Sequence, residues 1–277
     1  GNATSAINSY VPYFLLSGFH PGTITAFNFA QSVASVPTTV LTSQVSGVLG
    51  VRFNELAAKK EFLAIDSLFR RAAMALHCAL VPVACICLLF GSEMIQVLYG
   101  RPSVPTGTLR LSARFLGLLA CLIPLNVVNT LTARVLMAQR KVSTSIAYQT
   151  AFSVILFIML LIAVHFFGPV GYPGALVVAY SFNLFALRPI LSRACNYLKY
   201  DAVLKHLATV VCCNLALSAL LAYCLSYFHL PSQLVTAIYG CMIYGCVLTL
   251  ITYSWSLKWG LQAQETTQAR VAETALL

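Results

Sequence analysis

Between Asn28 and Ser46, uncharged hydrogen-bonding side chains recur every three or four residues: Asn28, Gln31, Ser32, Ser35, Thr39, Thr42 and Ser46. On a helix this spacing makes one stripe, leaving Phe27, Phe29, Val33, Val36, Val40 and Leu41 to cover the remaining surface. Amides and hydroxyls in such a row donate and accept hydrogen bonds, so their chemistry is to solvate and orient a polar guest. Two shorter sets repeat the device. Asn8 shares a face with Thr4 or Ser5 and Pro12, while Asn126, Asn129 or Thr130, and Arg134 follow Pro124 at the same spacing. Arg110 and Arg114, four apart, share a face from which they would escort a phosphate or anchor a helix at an interface. Arg134 precedes the Arg140–Lys141 pair by six residues, about 9 Å along a helix, within reach of a cavity anion or of the interface by snorkelling.

Nothing in the chain suggests catalysis. The five histidines are scattered without a carboxylate or nucleophile at a telling spacing, so no enzyme, no metal and no cofactor are expected. Of the ten cysteines, nine lie in apolar runs, where a free thiol packs as a small apolar side chain, and no Cys-x-x-Cys pair occurs.

The elements that must carry these residues follow from composition. The chain of 277 residues is 59% hydrophobic and 9% charged, with a mean hydropathy of +0.83, whereas soluble domains carry about a quarter charged residues. Its apolar runs exceed the roughly 20 residues that span a bilayer. The expected fold class is therefore an all-α polytopic membrane protein, with spans near 1–18, 23–49, 72–98, 109–137, 142–167, 173–194, 203–228 and 233–257. The first reads as a helix cut at its beginning, which makes the polypeptide the C-terminal part of a longer transporter-like chain. Residues 52–71 place Leu56, Leu63, Ile65, Leu68 and Phe69 among five cations, the pattern of an amphipathic connector in the headgroup plane. Residues 259–277 form a polar tail.

Lys and Arg divide fourteen to three between alternate loops, which makes the richer side cytoplasmic and places the C-terminus there. The net charge of +10 then reflects topology and anionic membrane lipids as partners, with no need of nucleic acid. Ser and Thr alone are common glue between membrane helices. Asn28 and Gln31 are costlier to hide and Pro37 interrupts the ladder in mid-span, which favours a solvated cavity. Six of the seven acids fall in loops or the tail, leaving Glu93 near a span end, so the cavity's surplus charge is positive and fits an anionic substrate.

The order "GTITAFNFAQSVASVPTTVLTSQVSGVLGVRFNELAAKKEF", "LLFGSEMIQVLYGR" and "NTLTARVLMAQRKVSTS" resembles the MurJ/MviN-type flippases. The likeness covers most of residues 1–200. It implies the multidrug/oligosaccharidyl-lipid/polysaccharide exporter superfamily: the second six-helix lobe of a MATE/MurJ-like transporter over 1–200, plus two additional helices over 201–258. The implied function is a flippase that moves an undecaprenyl-pyrophosphate-linked sugar, a lipid II-like peptidoglycan precursor, across the bacterial cytoplasmic (inner) membrane by alternating access. Its partners would be that lipid-linked glycan substrate and the missing N-terminal lobe. One departure keeps alternatives open. Where the family usually places an Arg after the aromatic–Ala pair, this chain has Gln31, and the acidic residue of the preceding helix is absent near Val11–Pro12. An O-antigen/exopolysaccharide lipid-linked flippase and a MATE-type drug/cation exporter are the other readings.

Overall fold

The computed structural model describes residues 10–227, and every element among the described residues is helical. The chain divides into two compact units, Gly1–Ala219 and Leu220–Leu277, and the site lies within the first. Asn8, the expected span 233–257 and the tail fall outside the described residues. Helical residues 10–16 (α1) lead into α2 (Thr23–Pro37), a π-helical turn (Thr38–Ser43) and α3 (Gln44–Ala58). Then come α4 (Phe62–Tyr99), α5 (Thr106–Ala138), α6 (Val142–Phe167), a 3-10 turn (Gly168–Val170), α7 (Gly171–Ala194) and α8 (Tyr200–Tyr227). Four helical stretches among the described residues are long and apolar enough to cross a membrane: Phe62–Tyr99, Thr106–Ala138, Val142–Ala194 and Tyr200–Leu220.

Pro37 explains the break after α2. It has no N–H to give to the carbonyl four residues back, and its ring crowds that carbonyl, so the backbone widens into the π turn. Nearby hydroxyls turn onto the disturbed backbone: Ser35 Oγ donates to the Ser32 carbonyl at 3.1 Å and Thr38 Oγ1 to the Ser35 carbonyl at 2.8 Å. Such bonds make a proline tolerable where no water reaches.

No separate connector helix exists over 52–71. That stretch is shared between the end of α3 and the start of α4, with a sharp turn where Lys60 takes φ 59°. The reason is phase. Ile65, Phe69, Ala73, Leu76 and Leu80 are all buried at steps of three or four, so the connector's apolar seam runs unbroken into that of the span, and α4 kinks only further on, at Phe90 (φ −116°, ψ 17°).

α5 is the hub. It packs against α2, α3, α4, α6 and α7, most extensively against α4. Apolar burial gains little between helices already in lipid, so close packing must supply the attraction. α2 accordingly presents Ala26, Ala30 and Ala34, all buried, and its Phe27 ring meets Phe115 of α5 at 6.2 Å and Tyr172 of α7 at 5.3 Å, both edge to face.

At the end bearing most of the cations, two charged contacts hold the helix junctions. Buried Asp66 accepts from Arg70 Nε at 3.0 Å and from the Lys199 backbone N–H at 2.8 Å, so a carboxylate sits at the start of α8. Lys141 Nζ donates to the Ala194 carbonyl, placing a cation at the end of α7. Next to it, burial pushes the Cys195 thiol up, which keeps it protonated and inert.

α6 and α7 form a hairpin whose closeness depends on Gly171, where a Cβ would lie 2.1 Å from the Ala163 carbonyl oxygen. Gly174, one turn on, has nothing within 4 Å of the same position. Gly171→Ala is expected to lower unfolding stability in detergent by more than about 2 kcal/mol, because backbone must shift, while Gly174→Ala leaves it unchanged or raises it by about 0.5–1 kcal/mol. Equal thermal midpoints for the two variants would refute this account of the hairpin.

Candidate functional site

The residues singled out in the sequence fall into separate places. On α2, Gln31 and Ser32 are exposed, Thr39 is exposed on the π turn, and Asn28 is half-buried, accepting from the Tyr13 hydroxyl of α1 at 3.1 Å. Ser35 is spent on its own backbone, and the position of Thr42 lies in the π turn. Polar α2 residues thus share a surface with α1, while the opposite, alanine-lined face is buried.

Asn126 and Asn129 point elsewhere. They line a half-open cavity of about 340 Å³ between α5, α6 and α7, to which no α2 residue contributes. A relay crosses it: the Tyr148 hydroxyl donates to Asn183 Oδ1, and Asn183 Nδ2 donates to Asn129 Oδ1 at 2.7 Å. Gln149 Nε2 reaches Ser145 Oγ at 3.2 Å on the α6 wall. The Phe152 and Tyr180 rings meet edge to face at 5.3 Å, giving the cavity an aromatic side. Thr132, only 1% exposed, also lines it, and its hydroxyl has no hydrogen-bond partner.

Arg134 does not join this cavity. It is exposed on the α3 side of α5, where a Cβ on Gly50 would sit 3.5 Å from its Cδ, so the glycine makes room for the stem as it runs toward the basic end. Arg110 and Arg114 are exposed on the first turns of α5, and neither joins an ion pair among the described residues. Among the described residues no group of three or more His, Cys, Asp or Glu is placed to hold a metal ion.

Sequence reasoning missed the α6 wall. The signal was present: Ser145, Tyr148, Gln149, Phe152 and Ser153 recur at helical spacing, a polar and aromatic stripe inside a very apolar run. It also treated the histidines as unrelated, whereas His77 of α4 and His206 of α8 lie with ring centroids 6.4 Å apart.

A helical chain with an exposed polar face, a half-open cavity of mixed polar and aromatic lining and several membrane-crossing helices defines an all-α polytopic membrane protein. A family model described as the lipid II flippase MurJ matches residues 1–240, and the chain belongs to that family. A solved structure, the lipid II flippase MurJ in an inward closed conformation, is similar in fold: the TM-score is 0.71 at 15% identity, covering 92% of this chain. The chain spans about half the length of that structure, 52% of it. No curated protein matches the chain.

Breaking the relay tests its role. Asn183→Leu strands the Tyr148 hydroxyl and the Asn129 amide inside the lobe, and is expected to lower stability by about 1–3 kcal/mol in mixed-micelle unfolding. Tyr148→Phe, which removes one donor, should lose less, about 0.5–1.5 kcal/mol. A Tyr148→Phe loss as large as that of Asn183→Leu would show that the bonds do not act as a relay centred on Asn183.

Proposed function

We propose that this chain is the C-terminal lobe and following helices of a flippase that carries lipid II, an undecaprenyl-pyrophosphate-linked sugar, across the bacterial cytoplasmic membrane by alternating access. The observation that carries the reading is the α2 stripe. Gln31 and Ser32 are exposed within a membrane-length helical run, although amides facing hydrocarbon would cost several kcal/mol each. A second lobe across a hydrated cavity removes that cost, and a similar solved chain about twice as long supports its presence. In this arrangement the stripe bonds the headgroup, Arg134 meets the pyrophosphate from the cytoplasmic side, and Arg110 and Arg114 meet it at the outer mouth. The fourteen-to-three division of cations supports a cytoplasmic C-terminus and contact with anionic lipids.

Drug or cation exchange is the weaker reading. Asp66, buried at the basic end, is committed to Arg70 and to the start of α8, and Glu93, whose Oε2 is buried without a hydrogen-bond partner, stands near the end of α4 rather than at its middle.

Depletion of the full-length protein should trap lipid II on the cytoplasmic leaflet. Wild type should restore its normal sidedness, and the Gln31→Ala, Arg134→Ala double variant should not. Unchanged sidedness on depletion would move the substrate to another glycolipid, and full rescue by the double variant would remove the stripe and Arg134 from the path.

A further inference from the structure

We infer that the cavity between α5, α6 and α7 is a binding site for one uncharged sugar ring, separate from the α2 stripe. Its wall carries no charged side chain, so neither a phosphate nor a carboxylate would find a counter-ion there. A bare cation fares no better, because the lining offers it only neutral oxygens and no carboxylate to offset its dehydration. What the relay leaves over is mixed: the Asn129 amide nitrogen donates and the Gln149 amide oxygen accepts. Hydroxyl and acetamido groups match such a set, since they too donate and accept. The aromatic side offers apolar area to the C–H face of a ring, beside the polar groups that would bind its edge.

Size agrees. At about 340 Å³ the cavity lies near the lower end of small-molecule sites, roughly 300–1,000 Å³, with room for a single ring. Gln149 is exposed, which puts the mouth on the α6 side, and Thr132, a buried residue of the lining, stands at the inner end. The inference deepens the flippase reading, since a lipid-linked glycan carries neutral rings, and it places one of them inside the lobe.

Saturation-transfer NMR on the full-length protein in nanodiscs tests it, with N-acetylglucosamine as the probe and glucosamine 6-phosphate as its charged counterpart. Transfer to N-acetylglucosamine is expected, with little to the phosphate. Gln149→Leu at the rim and Asn129→Leu in the wall should each weaken binding by about two- to tenfold, the range for a lost hydrogen bond, while lipid-facing Ile162→Ala leaves it unchanged. Because Gln149 is exposed, its variant keeps the test valid should Asn129→Leu misfold. Absence of transfer, equal transfer to the phosphate sugar, or wild-type binding in Gln149→Leu would overturn the site. Lipid II sidedness separates the two ideas: sidedness independent of the protein, with sugar transfer intact, removes the flippase reading alone, and the converse removes the sugar site alone.

Discussion

The constraint on which this structure depends is that a polar group inside a bilayer must find a partner within the protein or in enclosed water. α5 answers it by standing at the centre of the lobe. Its apolar positions, Phe115, Leu116 and Ile123 among them, are buried within the bundle, and its asparagines turn toward α6 and α7. There Asn129 and Asn183 bond each other and Tyr148 closes the set. Removing α5 from the middle would leave α2, α3 and α7 without their common neighbour.

The same constraint shapes the break at Pro37. A proline in mid-span frees a carbonyl, the helix widens into the π turn, and the Ser35 and Thr38 hydroxyls donate to the neighbouring carbonyls of Ser32 and Ser35. Those hydroxyls have committed their protons to the backbone and could only accept from a substrate, while the amide of Gln31 and the hydroxyl of Ser32 remain on the surface. The stripe thus divides residue by residue into side chains bonded to their own helix and side chains left on the surface.

Helix junctions at the basic end follow a second rule, pairing charge with helix dipoles. Asp66 at the start of α8 and Lys141 at the end of α7 each put the favourable sign at a helix terminus. Both contacts join residues far apart in the chain, Asp66 with Lys199 and Lys141 with Ala194. The exposed Arg188–Asp201 pair nearby, at 2.8 Å, contributes little by comparison because water screens it.

Sequence alone determined the class of protein, the helical character of the long apolar runs and the helical face on which the amides of α2 lie, because hydropathy and a period of 3.6 are properties of consecutive residues. The motif order also sufficed to indicate the family. Tertiary structure decided what one-dimensional periodicity cannot encode. It merged the connector with α4 because two apolar seams happened to share a phase. It set Arg134 against Gly50 rather than beside Asn126 and Asn129, since neighbours on one helix can face different partners. And it built a cavity from three helices whose contributing residues span Asn126 to Leu187, a convergence that only packing in three dimensions can produce.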